Sequence, residues 1–414
     1  MADQKATDLI EEFGQLKQRR LPYDIVNTEI QQNVIPRRTG FDVAHPGRGE
    51  RHDSQIYDGS ALGALTLMAQ GFQGYQLSPS YRWAKVKSTF EPLMKMRDVR
   101  LWLSKVGDVL FSLLGRSNFY REMHEYIMDA GSFGTATLFI SEDTKNARVW
   151  FQTRHPREIY IAEDENEVVN VVFRHTEMTF KQMMEAFGED TLHKDIKNGY
   201  DDNPYDTTML LHTVKPNEHF NPDKEDSKSM KYESTYIDIV NEMIIRESGF
   251  NENPYAVWRF YKNSDEEYGR SPAWDALGDI KAIHQYSRTN TPTAQLLANP
   301  PMDISAGRRG LIIYKPGARN YREMDDEKID LMPVAPQYHV GIDRENQVRE
   351  AIERAFYVPF FLMMANAEKQ MTATEIMRRD EEKAVILGPM ITGLNHDTLN
   401  PMFDRLFDIA YRAG

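Results

Sequence analysis

The side chains that could carry out a reaction are few in this chain, and their spacing does not assemble one. Ser132 lies in Ala130-Gly131-Ser132-Phe133-Gly134, close to the Gly-x-Ser-x-Gly elbow that exposes a nucleophilic hydroxyl on a strand-to-helix turn. The first glycine is missing and the local pattern runs from helix to strand, so a helix C-cap and turn is the plainer account. Glu163, Asp164, Glu165 and Glu167 form one acidic run, and Asp325, Asp326 and Glu327 form another beside Arg319, Arg322 and Lys328. Either run has carboxylates enough for a metal ion or an acid–base pair, but solvated turns account for both. His124 with Glu125, and His155, His175, His193, His212 and His219, show no ligand spacing. His-Glu-x-x-His and paired Cys/His patterns are absent, as is a Gly-x-x-x-x-Gly-Lys-Ser/Thr phosphate cradle. No catalytic residue, metal site or cofactor follows. The other polar candidates are Arg308 and Arg309, set between glycines, and Lys369 with Gln370; exposure to solvent is the simplest role for each.

Composition narrows the class. At 414 residues the chain exceeds a one-core size, so a multi-domain body is expected. Its 63 acidic and 50 basic side chains leave a formal charge of -13. Tight nucleic-acid binding by counterion release needs clustered Lys and Arg, and this balance argues against it, although not against a protein that lets nucleic acid slide past. Without cysteine there are no disulfides or thiolate metal sites. No charged, apolar, small-residue leader opens the chain, and the apolar run from Phe356 to Ala365 is too short to span a bilayer. A soluble, unsecreted protein is expected.

The elements that must position these residues change character along the chain. Thr7 can cap a helix carrying Leu9, Phe13 and Leu16, ending before Leu21-Pro22; a second short helix covers Tyr23 to Val34 and stops at Pro36. Further helices are expected within Asp53–Gly74, Asp98–Leu114 and Phe119–Gly131. From Thr135 onward, alternating runs such as TATLFIS, EIYIAED and VVNVVFR replace the helical period. With MLLHTVKP, YESTYIDIV, EMIIRES and YAVWRFYKN they can build a mostly antiparallel sheet, interrupted by a helix near Thr179 to Phe187. The polar stretch Asn217–Lys231 reads as a mobile loop. Fold class is therefore α+β, mainly α-helical.

Ser271-Pro272 is a helix start, with a capping hydroxyl and proline at the first helical position; the helix should reach about Asn290 and bend or end at Pro292. A compact Pro/Gly-rich segment follows, with GLIIYK as its strand-like run. Asp343 then reads as the cap of a long helix whose Val348, Ile352, Ala355 and Phe356 share one face. Arg344, Glu345, Arg349, Glu350, Glu353 and Arg354 lie on the other, with Glu345 before Arg349 and Glu350 before Arg354 at i, i+4. That face suits water or a charged neighbour. A short break separates this helix from Thr372-Ala-Thr-Glu375, a capping box. The Phe360-Phe361 and Met363-Met364 pairs read as packing for the break. A helix to Leu387, a break at Gly388-Pro389 and a final helix through Ile391, Leu394, Met402, Leu406 and Ile409 complete the chain.

Three strings carry a resemblance. MTATEIMRRDEEKAVILGPMITGLNHDTLNPMFDRLFDIAYRAG (Met371–Gly414), YDGSALGALTLMAQGFQGYQLSPSYRWAKVK (from Tyr57) and EEYGRSPAWDALGDIKAIHQY (from Glu266) together resemble the head-to-tail connecting (portal) proteins of short-tailed bacteriophages. What the resemblance implies is a homo-oligomeric ring, in that family of twelve subunits, around a bore for double-stranded DNA. It implies a wing over residues 1–270, with its β-rich part at about 135–263, a first stem helix at 271–297 and a clip at 298–338. A second stem helix at 339–364, a channel loop at 365–371 and wing or crown-base helices at 372–414 follow. Asn27 stands where family members often carry an aromatic residue. The family usually extends past the position of Gly414 into a crown, so a crown function is not expected here. By the same resemblance Lys369 and Gln370, with Arg308 and Arg309, would touch the DNA backbone without reading bases, and the 344–354 face would meet the next subunit or line the bore. Implied partners are the terminase large subunit, the tail adaptor, and capsid and scaffolding proteins, with no membrane. The implied place is the portal vertex of the virion, after assembly in the bacterial host cytoplasm. A tail tube, an adaptor, or a hydrolase or nuclease are the competing readings.

Overall fold

The computed structural model describes residues 2–38, 40–41, 52–88, 90–143, 148–224, 226–298, 302–303, 330–331, 338–365 and 387–412. It opens on one helix, α1 (Ala2–Asn33), with Pro22 inside it. Two short helices were expected there, and the reason for one is tertiary. Proline removes a single backbone donor, while packing secures the segment on both sides of it. Leu9, Phe13 and Leu16 bury against Tyr160, Phe173, Leu211 and Ile237, while Ile30 and Val34 enter a different and larger core. Between them Arg20 donates to the carbonyl oxygens of Ile159 (2.6 Å) and Pro156 (3.1 Å) and lies 3.7 Å from the centre of the Tyr160 ring. Thr7 lies inside the helix, five residues past its first, and not at its start.

Helices α2 (Ser60–Gln76), α3 (Glu91–Lys95), α4 (Arg97–Arg116) and α5 (Phe119–Phe133) follow. The last is the hub, because every residue from Tyr126 to Phe133 is buried. Small residues permit that: a side chain at Gly131 would run into Leu65 and Met68 of α2. Ser132 donates its hydroxyl to the carbonyl oxygen of Met128 at 2.7 Å and is fully buried. Gly134 ends the helix with φ of 79°. The turn expected at this site is present, with no exposed hydroxyl.

Strands β1 (Thr135–Asp143), β2 (Arg148–Arg154), β3 (Ile159–Glu163) and β4 (Val169–Thr179) come next. Helices α6 (Phe180–Phe187) and α7 (Lys194–Asp202) precede β5 (Thr207–Pro216), β6 (Tyr232–Asp238), β7 (Met243–Phe250) and β8 (Tyr255–Arg259). The capping box at α6 uses Thr179 and Gln182; α7 was not foreseen. All the pairings are antiparallel, but they make two sheets in place of one. One has the order β2-β1-β8, the other β3-β4-β5-β6-β7. His212 joins them, its Nδ1 2.8 Å from the Tyr255 hydroxyl, its Nε2 3.0 Å from that of Ser234, and its ring stacked on Tyr236. Burial holds His212 well below the usual histidine range, so it is neutral. Asn217–Lys231 folds back on itself through Asn217, whose side chain donates to the carbonyl oxygens of Lys228 and Met230.

The acidic run at 163–167 divides. Asp164 closes a turn by accepting from the amides of Asn166 and Val168. Glu163 was expected in solvent; it is mostly buried and paired with Arg259 and Lys262.

Ser271 caps α8 (Pro272–Asp275) by accepting from the Trp274 amide at 3.0 Å, and it donates to the Ser132 carbonyl oxygen at 2.7 Å. The chain turns at Ala276 into α9 (Leu277–Ala298), which continues through Pro292 beyond the expected stop. A proline already holds helical φ, so a lost hydrogen bond need not end a helix. Short strands β9 (Met302–Asp303) and β10 (Asp330–Leu331) pair antiparallel; GLIIYK, Arg308, Arg309 and the 325–327 run lie outside the described residues.

The helix expected to open at Asp343 starts five residues earlier, as α10 (Tyr338–Ala355), and α11 (Val358–Ala365) is a separate helix. Pro359 cannot donate to the Ala355 carbonyl, so the run breaks. Tyr357, at φ 59°, ends one helix with its amide on the Arg354 carbonyl and starts the next with its own carbonyl accepting from Phe360 and Phe361. Phe360 and Phe361 are buried, while Met363 is exposed. The capping box at 372–375 and the helix expected to Leu387 are outside the described residues. Residues 387–394 are helical through Gly388-Pro389, with no break, and lead by a π-helical turn (Asn395–Leu399) into α12 (Asn400–Arg412). The result is a mixed helical and sheet chain, 56% helical. Among the described residues no helix is long and apolar enough to cross a membrane.

Candidate functional site

Helices α9 and α10 lie side by side and run in opposite directions, since Asn290 faces Gly341 while Ser287 faces Glu345. Their apolar residues Ile280, Ile283, Val348 and Ile352 are buried in the main core. Each such side chain contributes on the order of 1.5–3 kcal/mol when fully buried. Gly341 lets the pair approach, because a Cβ there would stand 3.0 Å from the Asn290 side-chain oxygen.

The structure splits the charged residues expected on one face of α10. Glu345 and Arg349 turn toward the rest of their own chain. Glu345 accepts from the Ser287 hydroxyl (3.0 Å) and the Asn290 amide (2.8 Å). Arg349 donates to Asp58 (2.8 Å), Ser60 (3.0 Å) and Glu345 (3.1 Å). Burial opposes ionisation of Asp58, but bonds from Ser60 and Arg349 outweigh it and hold the carboxyl below the usual aspartate range. The tie is thus fully present above that range and is lost on acidification through the lowered value. Arg344, Glu350 and Arg354 are exposed and Glu353 is half-buried. Arg344 reaches Gln347 at 3.1 Å, and Arg354 reaches the Glu350 carbonyl at 3.2 Å. Lys369 and Gln370 fall outside the described residues, as do Arg308 and Arg309.

Sequence spacing did not reveal what fastens this helix pair to the N-terminal third. His284 of α9 is nearly buried; its Nε2 donates to the Asn33 carbonyl oxygen (2.9 Å), and its Nδ1 accepts from the amides of Tyr57 and Asp58 (3.3 Å each). The imidazole therefore connects the end of α1, the 53–59 segment and α9. Beside it opens a polar groove of about 520 Å³, whose lining includes Glu29, Gln55, Tyr57, Lys281 and Arg288. The clue in the sequence was slight: Ser287 and Asn290, three apart, with His284 three before Ser287, form a polar line along one side of the helix. Arg349→Ala should cost about 1–2 kcal/mol, a discounted figure because the side chain is one-third exposed. A denaturant midpoint unchanged from wild type would remove Arg349 as the connection between α10 and α2.

This arrangement holds and orients helices; among the described residues no group of three or more His, Asp or Glu is placed to hold a metal ion. Comparison with known proteins gives it a context. A protein named probable portal protein from Bordetella phage BPP-1 is 28% identical over 417 residues, covering 98% of this chain and 74% of that relative. The portal protein of Salmonella phage epsilon15 is 26% identical over 423 residues, covering 100% of this chain and 76% of that relative. The family described as bacteriophage head to tail connecting protein matches residues 6–414. With that match covering almost every residue, the chain belongs to the bacteriophage head to tail connecting protein family.

Proposed function

We propose that this chain is one subunit of a portal: a ring that connects phage head to tail and surrounds the channel through which double-stranded DNA enters and leaves. The family match over residues 6–414 carries the reading. The antiparallel pair α9 and α10 supports it, since two adjacent long helices fastened to the body by His284 and Arg349 make a stiff wall element. Residues 271–297 and 339–364 form the stem, 298–338 the clip that docks the terminase large subunit and later the tail adaptor, and 365–371 the channel loop. Residues 1–270 form the wing, and 372–414 the helices at its base. Exposed Arg344, Glu350 and Arg354 face the neighbouring subunit or the bore. The role is structural; an external motor drives the DNA. An acidic chain repels the phosphate backbone, which limits sticking during transit.

Negative-stain images of the purified full chain test this. A uniform annulus with a hole wide enough for duplex DNA is expected, and a monomer or dimer at all concentrations sinks the proposal. Within it, Lys369 and Gln370 touch passing phosphates, as do Arg308 and Arg309. Lys369→Ala should leave the ring intact and reduce the salt dependence of DNA retention, by a slope of about 0.9 for each phosphate no longer neutralised. Unaltered packaging, retention and salt dependence would exclude the contact while leaving the ring standing.

A further inference from the structure

The segment Arg82–Arg116 is an electrostatic exception in this chain. It holds eight basic and three acidic side chains, net +5, which leaves 42 basic and 60 acidic elsewhere, net -18. Its helices α3 and α4 keep Lys95, Arg97, Arg100 and Lys105 exposed, and none of these four has an ion-pair partner among the described residues. Large apolar side chains stand in the same surface. Met96, Leu101, Trp102 and Val109 are each more than half exposed, and Phe407 of α12 lies 6.4 Å from Trp102, ring centre to ring centre. A monomer rarely leaves so much apolar surface in one place without a use for it. Apolar residues with Trp, Met and Arg among them, rimmed by charge, have the composition of a protein interface. Duplex DNA would use the cations and find no use for Met96, Leu101 and Val109.

A complementary surface exists on the same chain. Residues 180–206 carry seven acidic and three basic side chains, net -4. Helices α6 and α7 and the turn between them bury Met183, Leu192 and Ile196 against the five-stranded sheet and leave Glu185, Glu189, Asp190, Asp201 and Asp202 exposed. Beside these acids Tyr205 is 71% exposed. Two different faces of opposite charge on one chain are what a heterologous, head-to-tail contact between copies requires.

We propose that the basic, apolar face of α3 and α4 docks on the acidic α6–α7 pair of a second copy of this chain. The inference rests on the ring reading above and assigns the two faces that meet. Trp102 and Leu101 supply the desolvated centre, and Arg97, Arg100 and Lys105 select the partner and its orientation.

Charge exchange tests it in the full-length protein, with light scattering after size exclusion and negative stain as readouts. One variant carries Arg97→Glu, Arg100→Glu and Lys105→Glu; a second carries Glu185→Lys, Asp190→Lys and Asp202→Lys; a third carries all six. Each single set should raise the concentration for half-assembly at least tenfold, and the six-fold variant should recover to within about threefold of wild type. If a charge variant fails to fold, Trp102→Ser carries the same tenfold expectation. Single sets that assemble as wild type overturn the proposal, as does a six-fold variant that fails to recover. A basic-face variant that keeps its ring and loses only affinity for a duplex DNA probe assigns that face to nucleic acid and overturns it too. A wild-type chain that never assembles sinks the ring reading itself, a result separable from failure of these two faces alone.

Discussion

Gly134→Ala should cost more than about 3 kcal/mol and leave little folded protein at physiological temperature. Two effects add. The residue sits at φ 79°, a left-handed conformation that costs an L-residue about 1–2 kcal/mol. Its new methyl carbon would also stand 2.1 Å from the carbonyl oxygen of Gly269, which is backbone and cannot rotate aside. Gly269 is closed to substitution from the other side, with the Gly134 carbonyl oxygen 2.4 Å from a Cβ there. Around this pair the Phe260 amide donates to Gly134 (2.8 Å) and the Gly269 amide donates to the Thr135 hydroxyl (2.9 Å). The seam therefore joins the end of α5, β1 and the approach to α8. Gly63→Ala is the control. Gly63 lies inside α2 with open space at its Cβ, so alanine should stabilise by roughly 0.5–1 kcal/mol. Thermal melting of both variants decides the point; a Gly134→Ala protein that melts with wild type would remove the seam from the account of the fold.

Arg38→Ala should cost about 3–5 kcal/mol at pH 8, because it abandons a buried carboxylate. Asp129 is completely buried, and Arg38 grips it with two bonds of 2.8 and 2.6 Å. Glu125 and Arg37 are the other charged neighbours. Burial pushes the Asp129 carboxyl up to about 7 in spite of the Arg38 charge. The sign follows from linkage: between the unfolded value of 3.8 and about 7 the folded state binds the extra proton, so stability falls as pH rises through that window and then levels. The total is on the order of 4 kcal/mol. Asp129→Asn lacks this slope. Denaturant midpoints of wild type and Asp129→Asn at pH 5, 6, 7 and 8 should therefore diverge, wild type losing ground to the variant with rising pH. A constant difference across the series would mean that Asp129 stays ionised throughout. The penalty of Arg38→Ala should also shrink below pH 7, where the abandoned carboxyl takes up a proton.

Most helices and strands could be read from period and capping. Ser271-Pro272 identified a helix start because its cap chemistry is local, and the runs after Thr135 became strands because they bury apolar side chains on one face or, as in β1 and β8, on both. The failures share a cause. Pro22 and Pro389 were read as stops and Pro292 as a bend or an end, yet each lies within a helix. A proline loses one bond but already holds helical φ, and around Pro22 contacts made by residues remote in sequence outweigh that loss. Conversely, Pro359 does break a helix, and the break is bridged by Tyr357 in a conformation seldom adopted by tyrosine, its hydroxyl 2.7 Å from that of Tyr261.

The charged face of α10 was visible as a pattern, but its division was not. Glu345 and Arg349 differ from Arg344 and Arg354 only in what stands opposite them. Ser287, Asn290, Asp58 and Ser60 arrive there from 55 to 291 positions away. By itself the amino-acid sequence determined the family, the α+β class and the helical pairing signals, because these depend on residue order and local periodicity. The tertiary structure decided which prolines lie inside helices, how the strands divide into two sheets and which charges meet their own chain. Those outcomes depend on contacts between distant segments, where burial and geometry, and not local preference, set the free energy.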